Sequence, residues 1–404
     1  MLLSREEEKM WNGEYGPAVE KAIRVVVRVG ESLGATQLVK VSHVHASGIS
    51  YKNVGEPGRL FIKHLASMGA RVSVFSTMNP AGMDLECWTQ MGVPQEFAQA
   101  QREIVESLVK MGFHHVPTCT PYLIRRPSLG ERLAWGESSA VGMANTYYGA
   151  TTNREGGPLA LMSAIVGRTY YAGLHLKENR VPRVRIVLDE RVRRGLGDPG
   201  VAGALGYVVG EIVGDTVPLL EGARSMNFDS IRAYVAAAGA TGNIALTVIE
   251  GITPGWRELL KMSDSMERVQ VEWSDITRVF EQARAESPDL VFVGCPHATV
   301  SEMKMLLEVL EGCKRVRSDI EIWVSTSRNV YLEAKEIGLI ERLARFGVIV
   351  VRDTCPMVSP VTARFRRVVT VSAKSLFYLP RTNGVETSLV PFNMLGEVLC
   401  GEGG

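Results

Sequence analysis

The stretch LVFVGCPHATVSEMKMLLEVL, residues 290–310, carries a strand, a turn and a helix in that order. Leu290–Val293 is an apolar run of strand length closed by Gly294. Beyond the turn, Thr299 and Glu302 are spaced as a capping box, so a helix is expected to begin at Thr299. Val300, Met303, Leu306, Leu307 and Leu310 then fall on one helical face. Further along, Ile320–Val324 reads as a strand, a helix is expected from about Asn329 to Phe346, and Val348–Val351 is again strand-like. A strand, a helix and a second strand in series make a βαβ unit, so this half of the chain is α/β with parallel strands.

Toward the amino terminus the alternation continues. Leu38–Val41, Val72–Phe75 and Ile244–Ile249 are expected strands, and a helix around Glu56–Met68 feeds the second of them. Thr151 to Pro158 is rich in Thr, Asn, Gly and Pro and reads as loop. From Arg191 to Leu205 there is no clear period, and a lobe boundary is placed there. The expectation is an α/β protein of two or more lobes, 1–205 and 206–404, because 404 residues exceed what one core usually serves.

Composition narrows the function. With 46% hydrophobic residues and 22% charged, the chain is that of a globular protein, and no apolar run approaches the roughly 20 residues of a membrane span. The start, Met-Leu-Leu-Ser-Arg-Glu-Glu-Glu-Lys, lacks the order of a secretory signal, so a cytoplasmic protein with no membrane role is expected. Forty-five basic and 44 acidic side chains leave no field for nucleic acid, so any anion must be recognised locally. Six cysteines are too sparse for a disulfide framework.

Cys119 in Thr-Cys-Thr-Pro, Cys295 in Gly-Cys-Pro-His and Cys355 in Asp-Thr-Cys-Pro each follow a strand-like run and precede a proline. At the carboxyl edge of an α/β sheet such turns can converge on a ligand. Cys87, Cys313 and Cys400 lack that context and are expected to be ordinary thiols. Three converging thiolates on a cubane cluster leave one iron open for Lewis-acid chemistry, which suits dehydration. His297 would instead complete a Cys3His zinc site, and a non-catalytic scaffold also fits the spacing.

Eight ordered blocks resemble the aconitase X family: VSHVHASGISY at 41–51, MNPAGMD at 78–84, TCTPYL at 118–123, WGESSAV at 135–141, GATTNREGGP at 149–158, GLHLKENR at 173–180, GCPH at 294–297 and DTCP at 353–356. The resemblance implies an aconitase-like fold and an iron-sulfur hydro-lyase whose cluster, of 4Fe-4S type with one iron free of protein ligands, is carried by Cys119, Cys295 and Cys355. It implies dehydration of (R)-5-phosphomevalonate to trans-anhydromevalonate 5-phosphate, in an archaeal-type mevalonate route to isoprenoids. Dehydration of cis-3-hydroxy-L-proline is the alternative within the family. A separate small swivel-domain subunit, absent from this chain and supplying a serine as base, is the implied partner in a heterodimer.

Among individual residues, His43 and His45 share parity with Val39 and Val41, so on a continuous strand they face one side, as candidates for proton donation. Ser47 and Gly48 form a small polar turn suited to an anion. Asn153, Arg154 and Glu155 lie in the glycine-containing loop, where the Arg154 guanidinium is the preferred anion binder. His297 adjoins a cluster cysteine and is a candidate catalytic or supporting residue. Glu137, Ser138 and Ser139 suit either a site or a helix cap, and Lys374 lies in a polar stretch that could reach a phosphate.

Overall fold

The computed structural model describes residues 1–263, 265–282 and 287–401. Three parallel sheets carry the architecture. The first has the strand order Phe75–Met78, His43–Ala46, Leu133–Trp135. The second runs Val248–Ile249, Pro218–Glu221, Val184–Leu188, Glu267–Val271. The third runs Val348–Arg352, Glu321–Thr326, Leu290–Val293, Arg367–Thr370, Glu386–Leu389. Leu38–Lys40 pairs antiparallel with Arg168–Tyr170 in a small separate ladder.

The helix after Leu290–Val293 spans Val300–Gly312 and has the capping box formed by Thr299 and Glu302. Its apolar face, including Met303, Leu306, Leu307 and Leu310, is buried. Burial of such side chains contributes about 1.5–3 kcal/mol each, which fixes the helix on its sheet. The helix expected over 329–346 is two helices, Arg328–Glu336 and Leu339–Ala344, separated at Gly338 with φ 71°. Likewise, Tyr51–Ser67 is interrupted at Gly55, with φ 58° and ψ −163°.

Several expectations are corrected. The strand at 38–41 does not continue to the histidines: the chain leaves one ladder at Lys40 and joins another at His43. The expected strand at 72–75 begins instead at Phe75, and that at 244–249 is confined to Val248–Ile249. The run 112–117, expected as a strand before Cys119, forms none; the segment holds to the neighbouring strand through His114 N to Ser76 O (2.8 Å) and Thr118 N to Met78 O (2.9 Å). The stretch 191–205 is largely helical, within Glu190–Gly195 and Pro199–Val213. Cys313 and Cys400 are not free thiols but a disulfide, brought together where Val316 bridges Cys400. Among the described residues no helix is long and apolar enough to cross a membrane.

Pro199–Val213 and Phe228–Thr241 are buried over most of their length, as expected for helices whose apolar residues are not confined to one stripe. Through the second of these helices, the middle of the chain reaches the cysteine turns.

Candidate active site

Cys119, Cys295 and Cys355 line one cavity of about 250 Å³, although they come from three distant turns. Each turn is held by the backbone that precedes it. Gly294 has φ 120°, and a Cβ there would lie 2.2 Å from the Ser325 carbonyl oxygen, so only glycine admits this approach. Asp353 also has positive φ, 59°, and accepts from Arg328 N at 3.0 Å and Nε at 3.1 Å. The Cys355 turn is further tied to the first sheet's loops by Ala81 N to Asp353 O (2.8 Å) and Ser50 Oγ to Val358 O (2.9 Å).

His297 knots the three turns together. Its main-chain N–H donates to Cys119 Sγ at 3.2 Å. Its ring lies between Thr118 Oγ1 (3.0 Å from Nδ1) and the Thr354 carbonyl oxygen (2.9 Å from Nε2). The carbonyl can only accept, so Nε2 carries the proton and Nδ1 accepts from the threonine. Burial lowers the imidazole to about 4, which keeps it neutral at ordinary pH. Both ring nitrogens are therefore engaged, and His297 has none left to complete a Cys3His zinc site.

The three thiols are free and buried. Burial raises all three: Cys119 well above its ordinary value, Cys295 in the same direction and Cys355 to about 12. They stay neutral unless a positive centre compensates the thiolates, as metal binding does. Among the described residues no three His, Cys, Asp or Glu side chains are grouped as donors to a single ion. Three thiols around one cavity, an N–H donor on one sulfur and a neighbouring imidazole whose two nitrogens are both engaged fit a polynuclear iron-sulfur group better than a lone zinc.

The same cavity is lined by a buried ion pair, Lys374 Nζ on Glu137 Oε1, with Ser138 Oγ 3.2 Å from the same ammonium. Burial alone would raise the Glu137 carboxyl, but Lys374, with Asn79 and His45, outweighs it and holds the carboxyl well below its ordinary range. Burial would lower Lys374, and Glu137 together with Cys295, Cys119 and Tyr378 raises it instead. Glu137 also caps the helix Ser138–Met143, accepting from Ser139 N. The lysine helix, Ala373–Asn383, begins at Ser372, whose hydroxyl donates to the Cys295 carbonyl oxygen. Charge pair and cysteine turn are thus built on one another.

Behind the pair runs a directed hydrogen-bond chain. Asn79 Nδ2 donates to Glu137 Oε2 at 3.0 Å, and its Oδ1 accepts from His45 Nε2 at 2.8 Å. His45 Nδ1 is 2.8 Å from Thr77 Oγ1, which is 2.9 Å from His43 Nε2. Burial, the largest cause for both, lowers His45 to about 4 and holds His43 well below its ordinary value. At neutral pH neither is a reservoir of imidazolium protons. They fix Asn79, and Asn79 faces the cavity.

The structure brings Ser47 and Arg154 to the cavity with the cysteines, whereas His43, His45 and His297 stand fully buried behind its wall. Gly48 lines a smaller neighbouring pocket. Asn153 is engaged by Leu174 N (2.7 Å) and Ala172 O (3.0 Å), and buried Glu155 accepts from Thr169 Oγ1 at 2.7 Å. Both brace the loop that presents Arg154. That guanidinium uses Nη1 on Gly239 O (3.1 Å) and Asn243 Oδ1 (2.6 Å), so among the described residues its charge faces no carboxylate. Asn79 and Pro80, which also line the cavity, were legible only as part of the MNPAGMD block; no local chemistry singled them out.

Family models match the chain in three consecutive segments: aconitase X first domain over residues 1–178, second domain over 182–281 and third domain over 288–401. The phosphomevalonate dehydratase large subunit of Aeropyrum pernix is 41% identical over 99% of this chain and 100% of its own. That of Methanocaldococcus jannaschii is 38% identical over 94% and 95%. The cis-3-hydroxy-L-proline dehydratase of Hypocrea jecorina is 32% identical over 95% of this chain, but only 66% of its own length is covered. Among solved structures, the holo-form of Thermococcus kodakaraensis aconitase X matches with a TM-score of 0.91 at 37% identity, over 98% of this chain and all of the other.

Proposed function

The chain belongs to the aconitase X family, and on that premise we propose that it is a hydro-lyase large subunit that dehydrates (R)-5-phosphomevalonate to trans-anhydromevalonate 5-phosphate. The observation that carries this reading is one cavity lined by three converging cysteines, by the buried Lys374–Glu137 pair and by Arg154.

Cys119, Cys295 and Cys355 would hold an iron-sulfur cluster of 4Fe-4S type. When bound, such a group supplies an iron without a protein ligand, a Lewis acid toward the substrate's carboxylate and departing hydroxyl. The chain's own side chains do the rest of the positioning. Lys374 Nζ has three protons, two of them engaged by Glu137 and Ser138, which leaves one to point at a substrate oxygen. Because Glu137 is held ionised, the ammonium stays protonated and cannot serve as the base. Asn79, oriented by His45, keeps the second oxygen of Glu137 occupied and so fixes the pair.

Arg154 spends Nη1 on Gly239 and Asn243, which would leave the Nη2 and Nε edge of its guanidinium for a phosphate. A carboxylate at Lys374 and a phosphate at Arg154 give a substrate with two anionic ends a defined direction in the cavity. Ser47 lines the same cavity; a Cβ at Gly136 would lie 2.5 Å from its hydroxyl oxygen, so the hydroxyl's place depends on that glycine. The base that removes the carbon-bound proton is assigned to a small subunit, in keeping with the large-subunit names of the relatives. The test is anaerobic co-production with that subunit and assay of mevalonate 5-phosphate beside cis-3-hydroxy-L-proline. Turnover of the phosphate ester supports the proposal; turnover of the proline alone moves the chain to the other branch of the family.

A further inference from the structure

Arg232 is 1% exposed, and all three guanidinium nitrogens have a partner. Nε donates to Tyr122 Oη at 3.1 Å, Nη1 donates to Asp229 Oδ1 at 2.8 Å and Glu302 Oε2 at 2.9 Å, and Nη2 donates to the His297 carbonyl oxygen. Tyr122 belongs to the 3-10 turn Pro121–Leu123, which begins two residues after Cys119, and His297 follows Cys295 by two residues. Arg232 itself lies on the helix Phe228–Thr241. One planar cation from the middle segment therefore bridges the Cys119 turn, from the first segment, to the Cys295 turn, from the third.

We infer that Arg232 is a positioning residue for the cluster: its fork sets the spacing of the Cys119 and Cys295 turns and slows loss of the group they hold. The inference rests on the cysteine assignment in the proposed function. Asp229 and Glu302 account for the charge, because together they accept from a single nitrogen, Nη1. The bonds to Tyr122 and His297 are a different matter. They use the two remaining nitrogens, point to the cysteine turns and need a fork that a lysine ammonium cannot reproduce.

Two variants separate this role from general stability. Arg232→Lys keeps the positive charge between the two acids but loses the fork, and Tyr122→Phe removes a single oxygen and no charge. Each is purified anaerobically beside the parent protein, and three quantities are read: iron per chain, decay of the visible charge-transfer absorption on exposure to air, and the unfolding midpoint of the iron-free chain. The expected result is absorption that decays about tenfold faster in both variants, the scale of one lost hydrogen bond to a charged group, and faster than in Leu310→Ala, a core truncation whose unfolding midpoint falls at least as far. Should Arg232→Lys fail to fold, Tyr122→Phe still decides. Decay at the parent's rate overturns the inference while the cysteine assignment stands, and so does faster decay that only tracks a lowered midpoint. A parent protein without iron overturns the assignment and the inference with it.

Discussion

The main-chain N–H of His297 donates to Sγ of Cys119 at 3.2 Å, across 178 positions of sequence. The same residue's ring joins Thr118 to Thr354, one neighbour of each of the other two cysteine turns. Replacing His297 by Phe leaves the main-chain donor in place but deletes both ring bonds. The expected outcome is a loss of about 1–3 kcal/mol in denaturant unfolding together with reduced, not abolished, iron content. Iron and stability equal to those of the parent would show that the ring is only packing.

Lys374 and Glu137 are buried together, so removing one strands the other. Lys374→Met is expected to cost about 3–5 kcal/mol of stability, because it leaves a buried carboxylate unpaired. Adding Glu137→Gln should recover most of that stability while dehydration stays abolished. Recovery of activity in the double variant would exclude Lys374 from contact with substrate.

Arg154 should distinguish substrates. With Arg154→Gln, KM for the phosphate ester is expected to rise roughly 10–100-fold with kcat little changed, the pattern of a lost charge-assisted contact made in both ground and transition states. A fall in kcat without a change in KM would place the residue at the reacting carbons instead.

Glu155 gives a pH signature. Burial raises its carboxyl to about 7 from an ordinary 4.5, and the Thr169 hydroxyl only partly opposes that. Between those values the folded chain holds a proton that the unfolded chain has released, so this group's contribution is full below about 4.5 and is lost as pH rises through about 7. Asp353, raised to about 6 mainly by burial, acts in the same sense, so the comparison is with Glu155→Gln and not with a flat line. Thermal unfolding of that variant should decline less than the parent's between pH 5 and 7; parallel profiles would refute the assignment.

What the sequence revealed was what is encoded locally. Thr299 and Glu302 lie three residues apart and announce a helix start, which the structure contains. The glycine and prolines flanking the cysteines signalled irregular turns, and these are the turns that line the cavity. Pairings between distant segments were not legible: Lys374 and Glu137 are 237 positions apart, and the cysteines of the disulfide 87. The parity argument for His43 and His45 assumed one strand, whereas the break after Lys40 sends the two pieces to different ladders. A period-two pattern cannot report such a break when both sides of it are buried.

The most direct test of the central claim is iron per chain in Cys295→Ser against the parent protein, each isolated anaerobically and read together with the visible charge-transfer absorption. The account predicts that the parent binds an iron-sulfur cluster and that the variant loses both the iron and the absorption. Full iron and unchanged absorption in Cys295→Ser would contradict it.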